Sequence, residues 1–288
     1  MKTALVFGAS GQIGAPVLQR LNAAGWQVLA VSRHAHADAP GLHWLRGDLA
    51  RVDGLPDSVD AIFSCGPLDH FARWHADASL RAPRVLAFSS TSASSKQDSG
   101  DADERDLAHR LLAAEARLFS TAASRGAAAT VLRPTLVYGA GRDQTLSRIA
   151  GLAQRWGRFV LPRGANGLRQ PVHVEDLADA AWAACQSSAS YGRSYDVPGG
   201  DTLAYRDMVQ RVLDCLEPAP RLLEPPMPLF RVMLAAAQLR GIARDFTPQA
   251  LARMRQDLVF DIEPARRDFG YAPRIFHPRL RMFAAIAS

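Results

Sequence analysis

Apolar residues in the first half of the chain gather into short runs separated by helix-length segments. TALVFGA, WQVLAVS, LHWLRGD, DAIFSCG, RVLAFSS and ATVLRPT each read as a buried strand, and the segments 15–24 and 104–124 carry apolar residues at helical spacing. The strand runs are continuously apolar rather than strictly alternating. Strands of that kind, alternating with helices, predict a parallel sheet covered on both faces, a Rossmann-like, doubly wound α/β fold.

The rhythm is lost in the second half, where LPRGANG, DVPGGD and EPAPRLLEPPMPLF are rich in Pro and Gly and the remaining segments are mostly helical. TLAYRDMVQRVLDCL reads as a helix behind a cap at Asp201 or Thr202. This pattern predicts a dinucleotide-binding domain over 1–138, with 173–190 packing back on it. A smaller, helix-rich substrate lobe is expected over 139–172 and 191–288. The polar stretch SSTSASSKQDSGDADE reads as a mobile surface loop.

The chain has 288 residues, 48% hydrophobic and 22% charged, which suits a globular protein with a substantial core. Its first residues, MKTALVFGAS, hold an apolar run too short for a signal peptide, and no stretch approaches the roughly 20 apolar residues of a membrane span. A cytoplasmic protein without a membrane partner is expected. The net charge of +6 comes from scattered residues, nearly all Arg, with Lys2 and Lys96 the only lysines, which argues against a nucleic-acid surface. Cys65, Cys185 and Cys215 are widely spaced, which predicts reduced thiols and no zinc site.

VFGASGQIGAPVLQRL places Gly8, Gly11 and Gly14 between the first strand and the first helix. Such glycines allow the turn, the approach of backbone to a pyrophosphate, and close packing of helix on strand. The helix N-terminus adds free N–H groups and a positive dipole end. With Ser10, Gln12 and Ile13 between the glycines, the loop is a candidate cofactor site.

The G-x-x-G-x-x-G spacing resembles the short-chain dehydrogenase/reductase superfamily. FSSTS, LRPTLVYGAG, PVHVEDLADA, YDVPGGDTLAYRDM and ARRDFGYAPR resemble its extended branch, the NAD-dependent epimerase/dehydratase family, over nearly the whole chain. The resemblance implies that Asp48 and Leu49 lie at the adenine, that Cys65, Gly66 and Pro67 run past the adenosine ribose, and that Ser89 and Pro134 line the cofactor. At the end of the second strand, where an acidic residue would hold the ribose of NAD, stand Ser32 and Arg33; Asp38 is too far along unless its loop folds back. A guanidinium there suits a 2′-phosphate, so NADP(H) is expected, with NAD the alternative.

The family's chemistry uses a Tyr and a Lys one helical turn apart, with a Ser or Thr from the preceding strand. Thr91, beside Ser89 and Ser90, supplies the hydroxyl. Aligned on Glu115 in DLAHRLLAAEARLF, the lysine position holds Leu111 and the tyrosine position Leu107, and neither lysine follows any tyrosine by four residues. Tyr138 is the first substitute donor, against the alternative of a packed fold residue; Lys96, His109 and His173 are weaker candidates. Arg133 and Arg169 could meet an anionic substrate or pair with carboxylates. Two functions remain open: an atypical oxidoreductase or epimerase-like enzyme on a small molecule, using a non-standard proton donor, and a non-catalytic NAD(P)-binding sensor or scaffold. The substrate cleft is expected at the carboxyl ends of the strands, toward the smaller lobe.

Overall fold

The first apolar run forms strand β1, Thr3–Phe7, in the computed structural model, which describes residues 1–143, 145–239 and 248–283. It is followed by α1 (Gly14–Ala23), β2 (Gln27–Ser32), β3 (Leu42–Arg46), β4 (Ala61–Ser64), α2 (Leu68–Asp77), β5 (Arg84–Phe88), the single turn α3 (Ser92–Ser95), α4 (Ala102–Ser124) and β6 (Ala128–Pro134). All six apolar runs therefore become strands. The inner strands are buried on both faces of the sheet, whereas β3 at its edge buries only Leu45.

The chain divides into two compact units. One comprises Met1–Thr135, Val174–Pro198 and Phe260–Pro273; the other comprises Leu136–His173, Gly199–Val259 and Arg274–Ser288. The division after Thr135 precedes the expected one at 138, and 191–198 and 260–273, both assigned above to the smaller lobe, belong to the first unit. Its strand Arg193–Val197 pairs with β6 in parallel. The strand was hidden in sequence because its polar positions, Ser194 and Asp196, interrupt the apolar pattern.

In the first unit the seven strands lie in the order Arg193–Val197, β6, β5, β4, β1, β2, β3, all parallel. The order reverses between β1 and β4, the switch point where such sheets bind ligands at their carboxyl ends. α2 and α4 pack together over a core that includes Phe7, Phe71, Val85 and Leu118. α1 packs against the helix Val174–Gln186, where Arg20 donates to Asp179 at 2.6 Å and meets Glu175 at 2.7 Å.

At the amino ends of the strands the buried Arg84 donates to Thr130 Oγ1 and Ser190 Oγ and to the carbonyls of Ala128 and Ala184. Ala184 lies in the last turn of Val174–Gln186, the negative end of that helix dipole, so the guanidinium is compensated without a carboxylate.

The second unit holds short strand pairs and the helices Leu146–Trp156, Tyr205–Asp214, Met227–Leu239 and Pro248–Arg253. Its core includes Tyr138, Leu146, Phe159, Met208 and Phe276. The cap expected at Asp201 or Thr202 is not formed. The helix begins at Tyr205 after Ala204, Asp201 pairs with Arg211 at 2.7 Å, and Thr202 Oγ1 accepts from Gln170. Among the described residues no helix is long and apolar enough to cross a membrane.

His75 on α2 is buried, with its Nδ1 lacking a hydrogen-bond partner, and burial, aided by Arg125, lowers its pKa to about 4. A histidine depressed below its unfolded value stabilises the fold above that value and loses the contribution as pH falls. Urea denaturation should show a loss of about 2 kcal/mol between about pH 7 and about pH 5 that His75→Leu largely abolishes.

Candidate functional site

The turn after β1 is fixed by glycine at two positions. Gly8 has φ +67°, and a Cβ there would lie 2.9 Å from the carbonyl carbon of Cys65. A Cβ on Gly14 would lie 2.1 Å from the Gly8 carbonyl oxygen and 2.8 Å from Ala9 Cα. The loop closes on itself through Gly11 N–H donating to the Gly8 carbonyl at 2.9 Å. α1 then begins with no side-chain cap and no acidic residue in its first turn, and Gln12 Oε1 is buried without a partner. Bare backbone and a positive helix end fit the pyrophosphate of a dinucleotide.

Cys65 continues the same edge, its N–H donating to the Phe7 carbonyl at 2.9 Å. Burial pushes its thiol up to about 12, which disfavours the thiolate at neutral pH. Gly66 follows it, and a Cβ there would lie 3.5 Å from Leu49 Cδ1, so Leu49 and Gly66 face each other. Pro67 precedes the first turn of α2.

At the outer edge Ser32, ending β2, is in register with Arg46, ending β3. Ser32 is buried, and its hydroxyl lies 3.0 Å from His36 Nε2 and accepts from the His34 N–H; the His36 ring stacks on Trp44 at 4.1 Å. Asp38 turns toward β3, accepting from Trp44 N–H at 2.8 Å and lying 2.6 Å from His43 Nδ1. Arg33 is exposed and borders an open depression of 610 Å³ with Arg46, Gly47, Asp48, Arg51 and Asp53. Asp48 spends one oxygen on the backbone N–H groups of Ala50 and Arg51; these bonds, with Arg33 and His70 nearby, hold its carboxyl below the usual range. Arg46 and Arg51 escaped the sequence reading. The motif RGDLAR carried them, but only strand register brings the first beside Ser32.

On the other side of the switch point Thr91 is buried, and both its N–H and its hydroxyl donate to the Pro134 carbonyl, at 3.1 and 3.2 Å. This aims the lone pairs of Oγ1, not its proton, at anything beside it. The stretch expected as a mobile loop is ordered by hydrogen bonds: Ser94 and Ser95 hydroxyls donate to the Thr91 carbonyl, and Asp101 caps α4 by accepting from Asp103 and Glu104. Ser89 donates to Glu115 at 2.8 Å. Glu115 is buried on α4 and also receives Arg133 Nε at 2.9 Å and the Ser194 hydroxyl at 3.0 Å. Arg133 is therefore an ion-pair partner, and Arg169 serves the backbone carbonyls of Leu168, Gln256 and Arg253. Leu107 and Leu111 are half-buried on α4, and Leu111 packs against the core with Ala114 and Leu118.

Thr91 lies in the first unit and Tyr138 in the second. Tyr138 is 1% exposed, edge-on to the rings of His173 at 5.1 Å and Phe276 at 4.9 Å. That is the environment of a packed tyrosine of the fold rather than of an accessible proton donor.

Residues 4–82 and 83–197 match the model of the NAD dependent epimerase/dehydratase family. The chain belongs to this family. It is 26% identical over 316 residues to 2-alkyl-3-oxoalkanoate reductase of Stenotrophomonas maltophilia (strain K279a), covering 94% of each chain. It is 26% identical to the uncharacterized protein YbjS of Escherichia coli (strain K12), covering 51% of this chain but only 45% of that relative. It is 25% identical to the mitochondrial NADH dehydrogenase [ubiquinone] 1 alpha subcomplex subunit 9 of Arabidopsis thaliana, covering 81% and 62%. Among solved structures it superposes on MoeE5 in complex with UDP-glucuronic acid and NAD, with a TM-score of 0.70 at 20% identity over 99% and 97% of the chains. A UDP-glucuronic acid 4-epimerase from Bacillus cereus gives 0.68 at 13% identity over 95% of each. These structures share its fold. This epimerase/dehydratase-family member has a glycine-bounded loop between β1 and α1 and no Tyr-x-x-x-Lys sequence anywhere in the chain.

Gly14→Ala forces a methyl into the Gly8 carbonyl, and neither backbone segment can yield without moving β1 or α1. The substitution should lower stability by about 2 kcal/mol or more in urea denaturation and weaken binding of either nicotinamide cofactor at least ~10-fold by calorimetry.

Proposed function

We propose that this family member binds NADP(H) and reduces, or in reverse oxidises, a small carbonyl or alcohol, using an acid other than the usual phenol. The observation that carries the reading is the pairing of a dinucleotide cradle with arginines in place of a ribose-binding acid. Arg33, Arg46 and Arg51 border one depression at the ends of β2 and β3; its two carboxylates are engaged, Asp48 with the N–H groups of Ala50 and Arg51 and Asp53 with the Arg51 side chain, and Asp38 is engaged with His43 and Trp44. Guanidinium groups give a 2′-phosphate charge-assisted, bidentate hydrogen bonds, and a carboxylate there would repel it. A reductase related over 94% of both chains supports redox chemistry over a purely structural use.

When bound, the cofactor supplies a hydride. The chain's residues hold it through Gly8, Ser10, Gly11, Gln12, Ile13 and Gly14 at the pyrophosphate, Ser32 and Arg33 at the ribose phosphate, and Asp48 and Leu49 at the adenine. Cys65, Gly66, Pro67, Ser89 and Pro134 form the remaining walls. Thr91 accepts a hydrogen bond from the substrate oxygen in its alcohol form, since its own proton is engaged with Pro134. Tyr138 is set aside as the donor because it is packed in the core of its unit.

A second reading, an NADP(H)-responsive sensor or scaffold, rests on the leucines at the family's two acid–base positions. The relative named as an NADH dehydrogenase subcomplex subunit adds to it. The two readings separate on purified protein: incubation with NADPH and a panel of carbonyls and nucleotide sugars gives cofactor oxidation for the enzyme, and binding without oxidation for the sensor.

The cofactor preference has its own test. Titration calorimetry should show tighter binding of NADPH than of NADH, and Arg33→Asp should weaken NADPH by about 10–100-fold while leaving NADH nearly unchanged. Equal or tighter binding of NADH by the unaltered protein overturns the preference.

A further inference from the structure

The search for a proton donor narrows by chemistry. Of 34 basic residues only Lys2 and Lys96 are lysines, and an arginine cannot release its proton at any working pH whereas an ammonium can. Lys96 stands in the segment joining Thr91 to α4. Thr91 to Lys96 is a single helical turn, closed by Ser95 N–H to the Thr91 carbonyl at 3.0 Å and Lys96 N–H to the Ser92 carbonyl at 3.3 Å. At a helical rise of about 1.5 Å per residue the Cα atoms are about 8 Å apart, a span a lysine side chain can reach across.

The ammonium is already anchored. Lys96 Nζ lies 3.1 Å from Glu104 Oε1, with side chains only 27% and 15% exposed. Ser99 donates to the other oxygen of Glu104 at 2.7 Å, and Arg105 holds the turn by donating to the Ser99 carbonyl at 2.6 Å. Glu104 opens the first turn of α4, three residues before Leu107, and so shares a face with it. Helical side chains cover the turn on their N-terminal side, so a side chain at 107 covers the turn that carries Glu104. The ammonium is therefore tethered to the turn over which the family phenol would project.

We propose that Lys96, positioned by Glu104, is the catalytic acid that replaces the missing Tyr–Lys pair. The inference rests on the reductase reading above. In the reductive direction the carbonyl carbon gains the hydride, the C=O π pair moves to oxygen, and that oxygen takes a proton from Lys96 Nζ as the N–H bond breaks. The neutral amine is reprotonated from solvent. Thr91 receives the new hydroxyl, which matches the outward lone pairs of its Oγ1.

The scarcity of lysine makes the test direct. Reductive methylation with ¹³C-formaldehyde labels only Lys2, Lys96 and the chain's amino terminus, and Lys96→Arg assigns the signal. The titration of each amine is followed by NMR with saturating NADP⁺ and with saturating NADPH, alongside calorimetry. The two differ in charge at the nicotinamide ring, so Lys96 should titrate at lower pH with NADP⁺ while Lys2 titrates alike with both. With a substrate from the carbonyl panel, Lys96→Arg should keep NADPH affinity and KM but lose about 10²–10⁴-fold in kcat. Glu104→Gln should lower kcat less and shift the pH profile. Calorimetric binding with identical Lys96 titration in both states overturns the lysine and leaves the reductase reading standing, as does turnover unaffected by Lys96→Arg. Absence of binding by either cofactor overturns both.

Discussion

The closest constraint in the first unit is a missing methyl group. Because a Cβ on Gly14 would stand 2.1 Å from the Gly8 carbonyl oxygen, α1 descends onto β1 at a distance no other residue permits. That contact points the uncapped helix N-terminus along the switch point between β1 and β4, and the walls follow from it. Cys65 bonds back to Phe7, Gly66 faces Leu49, and Ser32 and Arg46 end neighbouring strands at one level. A loop built of backbone rather than side chains suits a fold that is shared at identities as low as those of the structural relatives.

α4 shows the opposite economy. Its lower part is bound into the sheet by Glu115, whose two buried carboxylate oxygens accept from Arg133, Ser89 and Ser194. One and two turns earlier stand Leu111 and Leu107, both half-buried. Apolar side chains there cost the helix nothing, because its stripe continues through Ala114 and Leu118 into the core.

Much of this was legible in the chain. Continuous apolar runs gave six strands, and the glycine spacing gave the loop, because both follow from short-range periodicity and sterics. The seventh strand was not legible: Ser194 and Asp196 look like loop residues until Glu115 and Arg133 are folded beside them. Asp201 read as a cap and is instead the partner of Arg211, a choice between two local satisfactions that sequence leaves open. Tyr138 stood open between a donor and a packed residue of the fold, and His173 and Phe276, both distant in the chain, enclose it.

The sequence by itself determined six of the sheet's seven strands, the glycine loop, the lack of an acidic residue at the end of β2 and the absence of any Tyr-x-x-x-Lys sequence. Each is a matter of residue identity at a spacing fixed by local geometry. Only the tertiary structure decided that Arg46 stands beside Ser32, that Asp38 turns to β3, that Thr91 gives its proton to Pro134 and that Lys96 meets Glu104. These are choices among several available partners for the same polar atom. They are settled by which groups chain closure brings within hydrogen-bonding distance, which no local pattern records.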